Sequence, residues 1–135
     1  MNRTDAQRAT YVNDAPITAI ISITDVDDGK NWFYPRPWIL AIHEQQFNDV
    51  IDGNKHCITY EQAKEIAAFA HEYYKRVERI IIHCEYGQSR SAGVAAAISE
   101  HFEGHDSGIY TNPDYSPNPT CYSYVREALG KLSLS

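Results

Sequence analysis

The chain has 135 residues, 43% of them apolar, with 18 acidic against 12 basic side chains and a net charge of −6. That length suits one domain, residues 1–135, with a core that needs neither disulfide nor metal, and the mixed composition excludes a disordered chain. The acidic balance counts against nucleic acid or an anionic membrane as a partner, and no apolar run is long enough to span a bilayer.

The spacing of Thr4 and Gln7 is that of a capping box and predicts a short helix over residues 4–11. Ile17 to Ile23 is mostly apolar on both faces and predicts a central strand. It gives way to Thr24-Asp25-Val26-Asp27-Asp28-Gly29, which is turn chemistry. These acids lack the twelfth-position glutamate and flanking helices of a calcium loop, so a solvated turn is expected. Asn31 to Trp38 is an aromatic loop, expected to lid the edge of the core; the alternative is an aromatic wall beside a ligand pocket. Ile39 to Ile42 predicts a second strand, followed by the stretch Phe47 to Gly53 with its two acids Asp49 and Asp52.

Thr59 and Gln62 form a second capping box and open a helix to about Arg76. Ala63, Ile66, Ala67, Ala70, Tyr74 and Val77 line one face of it at helical spacing, as a crossover between parallel strands requires. His71 is expected as a surface or half-buried helix residue, and Tyr73 and Tyr74 as packing. Ile80, Ile81 and Ile82 suit a buried strand, and from Ser91 an alanine-rich helix carries the stripe Val94, Ile98 and Phe102 to a stop at Gly104. Residues 105–117 read as a polar loop. Asn118-Pro119 reads as a cap with proline at the first helical position, and Val125, Leu129 and Leu132 make the last helix amphipathic. The order of elements predicts an α/β fold, a central, mostly parallel sheet flanked by helices.

The chemistry concentrates between the third strand and the helix after it, in His83-Cys84-Glu85-Tyr86-Gly87-Gln88-Ser89-Arg90-Ser91. A strand that turns tightly into a helix aims free backbone N–H groups at one point, which is a site for an anion. Five residues separate Cys84 from Arg90, so one curl of the loop lets both side chains address the same ion. Arg90 offers a planar fork of donors matched to phosphate oxygens, and the loop Glu85, Tyr86, Gly87, Gln88, Ser89 and Arg90 is the candidate phosphate cradle. The same positive field favours a Cys84 thiolate, a nucleophile at neutral pH. Gly87 stands where a curled backbone needs positive φ or a close approach. Ser91 can donate its hydroxyl to the sulfur and steady it as a leaving group. His83 is expected to orient the loop through backbone hydrogen bonds and not to take a proton.

His-Cys-x-x-Gly-x-x-Arg-Ser resembles the signature loop of the cysteine-dependent protein tyrosine phosphatases. Ser89-Arg90-Ser91 is most similar to the small dual-specificity branch, and Phe-x-Asp at 47–49 and Asn118-Pro119 resemble stretches of small bacterial members. The resemblance implies a protein tyrosine phosphatase-like fold and hydrolysis of phosphate monoesters, phosphotyrosine and also phosphoserine or phosphothreonine, through a phosphocysteine on Cys84. It implies a general acid on a loop before the nucleophile. Asp49 is favoured for its Phe-x-Asp context, and Asp52 is the alternative because it lies nearer the usual spacing. The aromatic stretch 32–38 could then hold a phosphotyrosine ring. Arg90 and the backbone N–H groups would stabilise charge without a metal or other cofactor. The partner is a phosphorylated protein or small phosphoester.

Glu85 in the loop points away from substrates with several phosphates. A phosphoinositide phosphatase or an RNA 5′-phosphatase of the same fold is the lesser enzymatic alternative. Sulfur transfer of the rhodanese kind is disfavoured by the Arg90 spacing and the His83 and Ser91 flanks. A phosphoprotein-binding module without turnover is the rival outside catalysis. The three cysteines, Cys57, Cys84 and Cys121, have no short repeat spacing and form neither a disulfide framework nor a zinc site. With no leader-like stretch at the start, a reduced cytoplasmic setting is expected. Cys57 and Cys121 read as part-buried structural residues. A reversible disulfide to Cys84 is the alternative, with Cys57 the better partner.

Overall fold

The computed structural model describes residues 1–11, 15–28, 33 and 35–133. Three strands, β1 (Thr18–Thr24), β2 (Ile39–Gln46) and β3 (Arg79–His83), form a parallel sheet in the order β2-β1-β3. Every residue of β1 is buried, as its two-faced apolar sequence requires of the middle strand. Helices α2 (Tyr60–Tyr73), α3 (Arg90–Glu103) and α4 (Pro119–Ser133) pack on one face, around Ile21, Ile23, Phe47, Ile66, Ile82, Val94 and Leu129. Helix α1 (Arg3–Thr10) covers the other face, where Ala6, Ile20, Phe33 and Ile81 meet.

Helix α2 starts on the expected capping box: Thr59 Oγ1 accepts from Gln62 N–H at 3.1 Å, and Gln62 Oε1 accepts from Thr59 N–H at 3.0 Å. It ends at Tyr73, three residues before the expected Arg76. Gly104 ends α3 in the left-handed conformation at φ 82°. Asn118 caps α4, its Oδ1 accepting from Thr120 and Cys121 N–H at 3.0 and 3.1 Å. Gly93 lets α3 approach this cap, because a β-carbon there would stand 2.6 Å from Asn118 O.

Four expectations need correction. The first helix is capped by Asn2, whose side chain accepts from Asp5 N–H at 2.8 Å, and not by a Thr4–Gln7 box. Asn2 is extended and bridges to Cys84, so the helix starts one residue after it. The second strand runs past Ile42 to Gln46, because Gln45 turns inward to His43 and Glu65, and Gln46 O accepts from Gln62. Cys121 is fully buried and not part-buried. The turn 24–28 is not merely solvated, because Asp25 and Asp28 bind arginines. In the aromatic stretch, Trp32 and Tyr34 lie outside the described residues. Phe33 is buried edge-on to His83 with ring centres 5.1 Å apart, and Trp38 Nε1 donates to Thr10 O, so both serve packing.

Candidate active site

Strand β3 delivers Cys84 at its carboxyl end, and α3 begins six residues later at Arg90. Both are deeply buried, at 3% and 4% exposure. Between them Gly87 adopts φ +72°, and a β-carbon on it would lie 2.4 Å from Asn2 N, so conformation and space both demand glycine. The loop is braced on two sides. On one, Cys84 N–H donates to Met1 O at 3.3 Å. On the other, Ser116 and Asn118 N–H donate to Gln88 O and Ser89 O at 2.8 and 3.0 Å.

Ser89 stands at the N-cap of α3 but makes no side-chain cap bond, so the first-turn N–H groups stay available. Ser91 N–H points at Cys84 Sγ from 3.4 Å, and Ser91 Oγ lies 3.2 Å from the same sulfur. Burial pushes the Cys84 thiol up. Hydrogen bonds from the Ser91 side chain and backbone and from Gly87 N–H, with the Arg90 charge, outweigh it, so the thiol lies below its ordinary value.

Arg90 Nη1 donates to Asp25 Oδ1 and to Phe47 O, both at 2.8 Å. Its Nε is buried and has no hydrogen-bond partner among the described residues. The amides of Glu85, Tyr86, Gln88 and Ser89 likewise donate to no protein acceptor among the described residues. A buried guanidinium edge and a curl of unpaired N–H groups are a donor set for an oxyanion. The side chains of this curl contribute less than its backbone: Glu85 is drawn to Arg3 at 2.6 Å, and Tyr86 is 78% exposed.

The two candidate acids separate cleanly. Asp49 Oδ1 accepts from Ser89 Oγ at 2.7 Å and from Asn118 Nδ2 at 3.0 Å, which brings it to the rim of the loop. Asp52 faces α4 instead, with Tyr124 OH donating to its Oδ1 and its own N–H donating to Thr120 Oγ1, each at 2.8 Å. His83 is fully buried, and its Nε2 pairs with Ser22 Oγ at 2.7 Å, tying β3 to β1 by a side-chain bond. Burial drives its pKa down to about 4, so it is a neutral spacer at physiological pH.

Three residues of the site were not singled out from the sequence. In the sequence Asp25 reads as turn chemistry, Asn118 reads as a helix cap in an Asn-Pro pair that resembles small bacterial members, and Arg3 carries no signal. Arg3 joins Asp28 at 2.9 Å and Glu85 at 2.6 Å, linking α1, the turn and the loop. The one available signal was the position of Asp25 directly after β1, at the carboxyl edge of the sheet where ligands of parallel sheets gather. Cys57 and Cys121 are free thiols whose pKa values burial pushes up. Among the described residues, no cluster of three histidine, cysteine or carboxylate side chains could hold a metal ion, and no helix is long and apolar enough to cross a membrane.

No family model matches the chain, and no curated protein matches it. Solved structures do. A mouse protein assigned as a dual specificity phosphatase, complexed with zinc tungstate, shares 18% identity at TM-score 0.67, covering 98% of this chain and 82% of that one. A single-residue variant of human DUSP28 shares 16% at 0.66, with 99% and 90% covered. PTPMT1 in complex with PI(5)P shares 15% at 0.56, with 87% and 80% covered. At these identities the likeness is one of fold: the chain has the protein tyrosine phosphatase-like fold of the dual-specificity type.

Proposed function

We propose that the protein is a phosphatase that hydrolyses phosphate monoesters through a phosphocysteine on Cys84. The observation that carries this is a buried, unpartnered Arg90 Nε and a set of unpaired loop amides in the same loop as a thiol whose pKa is lowered. In the first step the Cys84 thiolate attacks phosphorus while the ester oxygen leaves. Asp49, at the rim, gives that oxygen its proton. Arg90 and the loop N–H groups hold the equatorial oxygens, where charge gathers in the transition state. In the second step Asp49, now a carboxylate, takes a proton from water as the water attacks phosphorus. The sulfur departs as a thiolate, steadied by the Ser91 hydroxyl. Inorganic phosphate leaves, and Asp49 is protonated again.

Asp25 and Phe47 O both hold Nη1, which fixes the guanidinium plane and leaves the buried Nε without a protein partner among the described residues; Asp25 is a positioning residue. Phosphotyrosine, phosphoserine and phosphothreonine are the substrates this chemistry suits. The test is hydrolysis of a small aryl phosphate with EDTA present. Turnover that EDTA leaves intact and Cys84→Ser abolishes supports the proposal. Vanadate or phosphate binding without turnover would instead support a phosphoprotein-binding module.

A further inference from the structure

We propose that the mouth of this site selects phosphopeptides that carry lysine or arginine beside the phosphorylated residue, an inference that rests on the phosphatase assignment above. The turn after β1 is fixed against the loop at two points. Asp25 takes Arg90 Nη1 at 2.8 Å, and Asp28 shares Arg3 with Glu85. Asp28 N–H closes the turn on Asp25 O at 3.0 Å, and Val26 N–H is held by Asn48 Oδ1 at 3.2 Å, beside Asp49. Asp27 lies exposed between these anchors, and exposed Asp49 stands across the mouth on Ser89. Asp25, Asp28 and Asp49 are therefore bonded to Arg90, Arg3 and Ser89, Glu85 lies in the loop itself, and Asp27 is exposed in the same turn. Among the described residues, three cations stand against these five carboxylates, Arg3, Arg90 and the Met1 ammonium that interacts with Cys84, which leaves an excess of two negative charges.

The buried donor set of Arg90 Nε and the loop amides can neutralise one phosphate. The rest of any ligand lies within a Debye length of a negative rim. A second phosphate meets repulsion there, and a cationic side chain meets attraction. Glu85 and Asp28 share the single cation Arg3, so this pair keeps one unbalanced negative charge. The field argues for a singly phosphorylated peptide with basic flanks over an inositol polyphosphate or a nucleic-acid end. Each exposed pair is worth only a few-fold in affinity, so two or three together give about tenfold.

The test uses the full chain as Cys84→Ser, titrated by fluorescence anisotropy with three phosphotyrosine peptides of one length, flanked by lysine and arginine, by glutamate, or by serine. The basic peptide is expected to bind about tenfold more tightly than the acidic one, with the gap closing at high salt. Asp27→Lys is expected to shrink that ratio. Glu103→Lys makes the same change of charge at the far end of α3, about 20 Å from Arg90 by helix rise, and is expected to leave the ratio alone. Equal affinities, a preference for acidic flanks, or tighter binding of a phosphoinositide headgroup than of the basic peptide would overturn the inference. If the active protein hydrolyses aryl phosphate while the peptides bind alike, only the flank preference falls. If no phosphopeptide binds and no aryl phosphate turns over, the phosphatase assignment falls with it.

Discussion

Cys84 and Cys121 belong to one core cluster and each lies against the start of a helix, yet their thiols are pushed in opposite directions. Burial drives the Cys121 thiol up, the neighbouring Asp49 charge adds to that push, and the Arg90 charge offsets only part of it. The N–H groups at the start of α4 are spent on Asn118, which takes those of Thr120 and Cys121 itself. At α3 no side chain caps the helix, so Ser91 N–H is aimed at the Cys84 sulfur, with Gly87 N–H and Arg90 beside it. Burial and a helix N-terminus do not make a nucleophile. What decides is whether the first-turn donors are consumed by a cap or directed at the sulfur.

The sharpest way to break this contrast is to change each sulfur in turn. Cys84→Ser should lose aryl phosphatase activity by on the order of 10⁴-fold. Cys121→Ser should keep kcat within a few-fold, while losing about 1–3 kcal/mol of stability from the hydroxyl placed in an apolar site. Chemical denaturation and steady-state kinetics on both variants check this. Equal losses of activity would show that the two sites are not chemically distinct.

The same contrast separates the two acids. Asp49→Asn should lower kcat by on the order of 10²-fold, because the proton donor for the leaving oxygen is gone. Asp52→Asn should keep kcat within a few-fold. The opposite pattern in steady-state kinetics would transfer the acid role to Asp52. Asp25→Asn should cost about tenfold in kcat/KM, with much of it restored by Asp25→Glu, since the loss is one of guanidinium placement. A loss that glutamate does not rescue would argue against a positioning role.

The remaining expected effect is on stability and not on catalysis, and it lies beneath the loop, at His83. Its pKa falls to about 4 when folded, from an ordinary 6.5, chiefly through burial. The unfolded chain therefore binds the extra proton first, and stability is lost as pH falls from about 6.5 towards 4, by about 3 kcal/mol in total. His83→Asn should flatten that part of the stability profile, whatever its effect at neutral pH. A profile unchanged by the substitution would mean that other groups carry the acid sensitivity.

Much of this organisation is legible in the chain itself. The Thr59–Gln62 box, Gly104 and Asn118-Pro119 are local signals, each satisfied by neighbours a few residues away, and the strands show as apolar runs although their partners are distant in the chain. The curl from Cys84 to Arg90 is equally local. The surroundings of that curl are not. Asp25 and Arg90 are 65 positions apart, and Arg3 reaches Glu85 from near the start of the chain. Their pairing depends on where β1 and α1 come to rest, so a run of aspartates reads as a turn until the sheet is assembled. Asp49 and Asp52 are separated for a similar reason: Asn118 and Ser89 claim one, and Tyr124 claims the other.

The measurement that bears most directly on the central claim is an acid quench during turnover of an aryl phosphate, followed by peptide mass spectrometry. The account predicts a phosphate adduct on the peptide that contains Cys84, absent from Cys84→Ser and longer-lived in Ser91→Ala. Rapid turnover with no adduct on Cys84, or with the phosphate on another residue, would contradict it.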